Sequence, residues 1–343
     1  MQNSDSAAVR APRSDDGLLT ELSSSLWGYA AVLVAHQLDI FTLLDENACS
    51  LDEICNRSKL NPRPAHALLS AAVSVGLVRM ENGIFSLTPI AEDYLLKRSP
   101  TYWGARLDLD LLIFADGVAA IKKAALTDLP QAFGGGDVFA TMMQNPEMVR
   151  DFTRGMHSIS MAPALKWPEA IDLSANRMML DVGGGSGAHS IGAVLRWPDL
   201  KATIFDLAPV CEITSEFAAA QQLESRIATH AGDMWNEPFP DADVHFYSSI
   251  YHDWPPDKCN FLTRKSFQHL KAGGKLIIHE ILFNDDRTGP LAASAYNLMM
   301  LYWAPGQQYS GRELSSMLSE AGFADIKTVP TFGAWSIVVG TKP

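Results

Sequence analysis

The sequence is short of positive charge: 27 Lys and Arg stand against 39 Asp and Glu, a formal net charge of −12. A surface that holds nucleic acid needs clustered Lys and Arg against phosphate, so this balance argues against nucleic acid as a partner. Cysteine is scarce as well. Cys49, Cys55, Cys211 and Cys259 show no C-x-x-C pairing, which points to reduced thiols in a cytoplasm. No apolar run reaches the roughly 18 residues of a membrane span, so no membrane partner is expected. Residues 1–16 are polar and lack an apolar h-region, and are expected to be a disordered tail, not a signal peptide. Apolar residues, by contrast, make up 47% of the chain against 19% charged, and 343 residues leave room for two domains with substantial cores.

From Gly17 to Leu44 apolar residues recur at helical spacing (Leu22, Leu26, Ala30, Leu33 and onward), which predicts helices that pack against a partner. Ser50 with Glu53 three residues later reads as a capping box, and Pro62 opens a second helix through about Val75. The alternating stretch Gly76 to Leu87 turns at Asn82-Gly83, a strong hairpin signal. Helix, helix and two-stranded wing predict a winged helix-turn-helix. Its would-be recognition helix carries Arg63 and His66 but is otherwise small or apolar, a surface suited to protein and not to phosphate. The expected domains are a tail at 1–16, a winged-helix dimerisation domain at 17–105, a helical linker and pocket segment at 106–165, and a cofactor-binding domain at 166–343.

That last domain is organised around Met178-Met-Leu-Asp-Val-Gly-Gly-Gly-Ser-Gly-Ala188, an apolar strand, a glycine loop and the start of a helix. Glycine brings backbone close to a bound molecule, and the helix N-terminus offers unpaired N–H groups. Gly183, Gly185 and Ala188 also satisfy the dinucleotide pattern, so the loop alone leaves NAD and S-adenosylmethionine open. Strands and helices then alternate as in a doubly wound parallel α/β sheet. Strands at Ala324–Val329 and Ala334–Thr341 lie too close for a crossover and must form an antiparallel hairpin. A Rossmann-like sheet finished by a hairpin is the methyltransferase variant, which turns the expected cofactor to S-adenosylmethionine.

Ligands in such sheets sit outside the carboxyl ends of the strands. Asp206 stands there after the second strand, where a carboxylate suits a ribose diol, and Gly232-Asp233-Met234 offers an N–H, a carboxylate and a thioether to an adenine. His252 follows the fourth strand and Glu280 ends the fifth. Neighbouring strands lie about 4.8 Å apart, so both side chains reach one site, the imidazole as base and the carboxylate fixing its tautomer. Among the aromatic and Met residues of 106–165, Phe139, Met143, Phe152 and Met156 are expected to contact an acceptor, with Asn297 and Met300 from a later helix.

Together, Asp181-Val-Gly-Gly-Gly-Ser-Gly187, Asp206, Gly232-Asp233-Met234, His252-Asp-Trp254 and Glu280, behind a winged-helix module, resemble the caffeate/acetylserotonin-type O-methyltransferases, in their bacterial secondary-metabolite branch. The resemblance runs from about Leu18 to Pro343. It implies an obligate homodimer acting on a small-molecule acceptor, with His252 as general base, Glu280 beside it and no metal. The expected cofactor contacts are Asp181, Gly183, Gly185, Asp206 and Leu207, then Gly232, Asp233, Met234 and Ser248. One departure stands out: where the family carries a carboxylate against the catalytic His, this chain has Gln308. A neutral amide stabilises an imidazolium less well. The alternative expectation is C-methylation of a 2-oxo acid, for which some relatives hold a metal on a His-Asp pair. His252-Asp253 is present, but the relatives' further His is matched only by Tyr296 and Asn297.

Overall fold

The protein is described from a computed structural model, covering residues 14–114 and 117–343. Contacts divide the chain into Met1–Ser99 and Pro100–Pro343. The expected tail lies outside the described residues as far as 13.

In the first unit, the single apolar pattern expected over 17–44 is two helices, Gly17–Gln37 and Ile40–Glu46, parted where Asp39 takes a positive φ of 52°. The first is long and apolar enough, by length and composition, to cross a membrane. The expectation that no such run exists is corrected: Glu21 and Ser23 to Ser25 punctuate the run without offsetting its Leu, Val, Ala and Trp. Leu18, Leu19, Leu22, Leu26 and Trp27 on it are all more than half exposed. The capping box is present: Glu53 N–H donates to Ser50 Oγ at 3.3 Å and Ser50 N–H to Glu53 Oε2 at 2.7 Å. The wing turns at Asn82 and Gly83, both at positive φ (51° and 80°) as a type I′ hairpin requires. It is three-stranded, not two: β1 (Cys49–Ser50) adds to β3 (Ile84–Leu87), which pairs with β2 (Val78–Glu81).

The second unit is a seven-stranded sheet of β4 (Met178–Val182), β5 (Lys201–Asp206), β6 (Ile227–Ala231), β7 (Val244–Ser248), β8 (Lys275–Ile281), β9 (Ala324–Pro330) and β10 (Trp335–Thr341). Its order is β6-β5-β4-β7-β8-β10-β9, with β10 antiparallel to both neighbours, so the expected closing hairpin is there. The central parallel strands β4 and β7 are buried on both faces, which is why they are mostly apolar, whereas the edge strand β6 is largely exposed. One face packs Met179, Ile204 and Phe246 with Trp167 and Ile191; the other packs Leu180, Phe205 and Tyr247 with Leu262 and Leu314. Met161 and Ala164 belong to the first cluster, so the helix Pro146–Lys166, over the end of the expected helical linker and pocket segment, packs into the core.

That helix lies against Ala188–Arg196 at Gly192, where an added Cβ would stand 2.0 Å from the Ala164 carbonyl oxygen. Backbone cannot yield as a side-chain tip does. Gly192→Ala is expected to destabilise the protein by about 1–3 kcal/mol, measured by denaturant unfolding. An unchanged midpoint would contradict this packing.

Candidate active site

A cavity of about 500 Å³ opens where β4, β5 and β7 end. The glycine loop forms its floor. Gly183 and Gly185 sit at φ 67° and 56°, and an added Cβ on Gly183 would strike Ile250 at 2.4 Å. A Cβ on Gly184 would meet the Asp181 carboxylate at 2.7 Å. Asp181 itself is buried beneath the loop and accepts the Ser190 hydroxyl at 2.7 Å; burial pushes its carboxyl up to about 7. Asp206, half-buried, accepts Gly185 N–H at 2.9 Å on one oxygen and Leu207 N–H at 2.7 Å on the other. Burial raises it to about 6 against those two bonds, and each oxygen keeps a lone pair for a ligand. Asp233 is tied into its own turn, accepting Trp235 N–H at 2.9 Å and the Asn236 amide at 2.6 Å. Ser248 Oγ lies 2.9 Å from His189 Nε2 and 3.1 Å from His279 Nδ1, two buried histidines held neutral by burial.

At the other end of the cavity stands His252, 4% exposed. Register puts it there: Ser248 on β7 pairs with His279 on β8, so Glu280 faces the turn that follows β7. Glu280 Oε1 accepts the N–H groups of Ile250 (3.1 Å) and Tyr251 (3.0 Å), which pins the carboxylate. Its Oε2 lies 2.9 Å from His252 Nδ1. In the neutral ring the carboxylate favours the proton on Nδ1, and Nε2, 3.7 Å from Asp253 Oδ1, is then the nitrogen left for the cavity. Burial disfavours the imidazolium, but the charges of Glu280 and Asp253 and the Glu280 bond outweigh it and hold His252 up to about 9. Asp253 is raised to about 7, by burial first.

Gln308 lies behind the ring, its Nε2 3.2 Å from Nδ1 and its Oε1 buried without a hydrogen-bond partner. With Nδ1–H committed to Glu280, the group that fits at this place is an acceptor. Gln308 supplies one by a half-turn of its amide, which also pairs the buried oxygen. The segment carrying Gln308 is clamped to the His252 turn: Tyr309 O–H donates to the Trp254 carbonyl at 2.7 Å, and a Cβ on Gly306 would fall 2.1 Å from the His252 carbonyl oxygen.

Two family models match the chain: an O-methyltransferase dimerisation domain over residues 20–97 and an O-methyltransferase domain over 114–324. The chain belongs to the O-methyltransferase family. It is 31% identical to a 3-hydroxy-5-methyl-1-naphthoate 3-O-methyltransferase of Streptomyces sahachiroi, over 95% of each protein. Acetylserotonin O-methyltransferase of Bos taurus is 28% identical over 95% of this chain and 97% of that one. In fold it matches human N-acetylserotonin methyltransferase in complex with SAM, with a TM-score of 0.81, 24% identity, and 97% and 99% of the two chains covered. The activity is S-adenosylmethionine-dependent O-methyl transfer.

In this methyltransferase all nine residues expected at the cofactor line the cavity, as do Phe139, Met143, Phe152, Met156 and Met300. Glu280 and Gln308 stand behind His252 instead of on the wall. Asn297 is also off the wall; its Oδ1 accepts Gln308 N–H at 2.9 Å and so holds the clamp. Among the described residues no group of three or more His, Cys, Asp or Glu is placed to hold a metal, so the donor set of the 2-oxo acid reading is not assembled. Sequence reasoning missed Trp235, His189 and Arg106 on the wall and Gly306 behind it, and met Tyr296 only where some relatives carry a further His. His189 alone carried a signal, two residues past the glycine loop; Arg106 and Tyr296 lie in helical segments whose inward face is visible only after folding.

Because Glu280 is the nearest charge sustaining the imidazolium, Glu280→Gln is expected to bring His252 from about 9 back toward or below the ordinary 6.5, followed by NMR of the ring. A His252 that still titrates near 9 would show that Asp253 alone holds the charge.

Proposed function

We propose that the enzyme methylates a hydroxyl of a planar aromatic small molecule of the phenolic or polyketide kind, with His252 as general base, and that it works as a cytoplasmic homodimer. The observation that carries the base is the paired Nδ1 of His252, which leaves Nε2 alone to take a proton in the cavity. The aromatic acceptor is supported by the wall facing it: Met142, Met143, Met148, Met156, Met299 and Met300, with Phe152 and Trp303 stacked at 5.3 Å and 11°. Both curated relatives named above are named for acting on aromatic compounds.

The glycine cradle, which a Cβ on Gly183 or Gly184 would crowd, and the half-spent carboxylate of Asp206 fit S-adenosylmethionine. Asp206 would hold the ribose hydroxyls, and the Met234 and Trp235 side would take the adenine. When bound, the cofactor supplies an electrophilic methyl on a sulfonium; the acceptor oxygen gains the C–O bond as the C–S bond breaks. The apolar wall aligns the acceptor and excludes water. His252 Nε2 receives the hydroxyl proton, and Glu280 steadies the resulting cation.

Since only neutral His252 accepts a proton and its pKa lies near 9, kcat/KM should rise with pH through neutrality and level off above about 9. His252→Ala is expected to slow methyl transfer by about 10² to 10⁴ while leaving cofactor affinity nearly intact. Asp206→Ala should do the reverse, weakening cofactor binding in calorimetry by about 1.5–3 kcal/mol. Loss of activity in chelator, restored by a divalent metal, would make His252 a ligand and overturn the reading.

The dimer rests on the exposed Leu22, Leu26 and Trp27 of helix Gly17–Gln37, which lie inside the stretch matched by the dimerisation model. The four buried free cysteines suit a reducing cytoplasm. An obligate interface buries more than about 2,000 Å². Deleting residues 1–45 should therefore give aggregated or inactive protein in size-exclusion chromatography with light scattering; a soluble, active monomer would refute the dimer.

A further inference from the structure

Beside the base stands a phenol that the mechanism leaves unused. Tyr296, on helix Leu291–Trp303, lines the cavity with Met299, Met300 and Trp303 from the same helix. Its ring lies 5.1 Å from the His252 imidazole, tilted by 36°, so the two rings stand side by side on the cavity wall. Among the described residues none makes a hydrogen bond to its hydroxyl. That oxygen lies in the field of four charged groups: Arg106 and Asp110, themselves ion-paired at 2.9 Å, and Asp253 and Glu280 on the His252 side. Burial lifts the phenol above its ordinary pKa of 10, with Asp253, Glu280 and Asp110 adding to the rise and Arg106 opposing it, so the group is a protonated donor wherever the enzyme works.

A hydroxyl that lines the cavity and is spent on no protein group keeps its hydrogen for the acceptor of a ligand. Asn297, the neighbouring residue, is spent on the Gln308 backbone and is not on the wall, which leaves Tyr296 as the helix's donor at this place. We propose that Tyr296 reads the substituent beside the reacting hydroxyl. Its O–H donates to a second oxygen, ortho or peri on the aromatic acceptor, and so favours acceptors that carry two neighbouring oxygens over simple phenols. The two oxygens of such an acceptor are roughly 2.7 Å apart, hydrogen-bond distance, so the reacting O–H is otherwise drawn onto its neighbour. A donor placed on that neighbour competes for its lone pairs and frees the reacting O–H for His252 Nε2. The inference rests on His252 being the base and on an aromatic acceptor.

The test compares 2,3-dihydroxynaphthalene with 2-naphthol in wild-type enzyme and in Tyr296→Phe, which keeps the ring against His252 and removes only the hydroxyl. Two quantities are read: kcat/KM for each acceptor, and each acceptor's affinity by calorimetry with S-adenosylhomocysteine present. Wild type should prefer the diol, and in Tyr296→Phe the diol-to-naphthol ratio of both quantities should fall about tenfold, the scale of one lost hydrogen bond. An unchanged ratio would make Tyr296 a packing residue and overturn the proposal while leaving methyl transfer to phenols standing. A wild type that binds and methylates neither compound would overturn the aromatic-acceptor reading and this inference with it.

Discussion

The site depends on one buried pair, Glu280 and His252. Two backbone N–H groups hold one carboxylate oxygen, and the other lies 2.9 Å from Nδ1. Both side chains are almost wholly removed from water. A lone carboxylate or imidazolium there would be costly, so each requires the other, and the pair in turn requires the β7–β8 register that brings them together. A slip of one residue would turn Glu280 to the opposite face of the sheet and place His279 in its stead. The juxtaposition of the two groups is thus set by strand pairing as much as by their identity.

Much of this was legible in the chain. The glycine loop, Asp206, Asp233 and Glu280 lie within two residues of strand ends, and His252 in the turn four residues past β7, where period and punctuation locate them. The β9–β10 hairpin could be read because its short connection permits only one direction, and it turned the choice of cofactor. The Ser50–Glu53 box and the Asn82-Gly83 turn are local devices and formed as local rules require.

What escaped is non-local. Cys49 and Ser50 look too short to be a strand, and become one only because β3 passes beside them. Tyr296 and Arg106 sit in helices whose apolar pattern does not say which face meets a cavity. Asn297 carried the right chemistry for an acceptor contact, yet its carbonyl is committed to the Gln308 backbone. Gly306 had no signal at all: its importance lies in the absence of a Cβ against the His252 carbonyl, visible only when two distant segments are brought together. The replacement of a carboxylate by Gln308 was plain in the sequence, but its effect depends on which atom of the amide faces His252 Nδ1.

The methionines on the cavity wall have a further consequence. Unbranched thioethers change rotamer at little cost and stay in contact with rings of different outline, where a wall of Val and Ile would match only one. Shape therefore discriminates weakly among flat molecules in this pocket. Such a wall leaves the enzyme's acceptor range open to change by single exchanges among its few polar atoms, with the fold and the methyl-donor half of the cavity untouched.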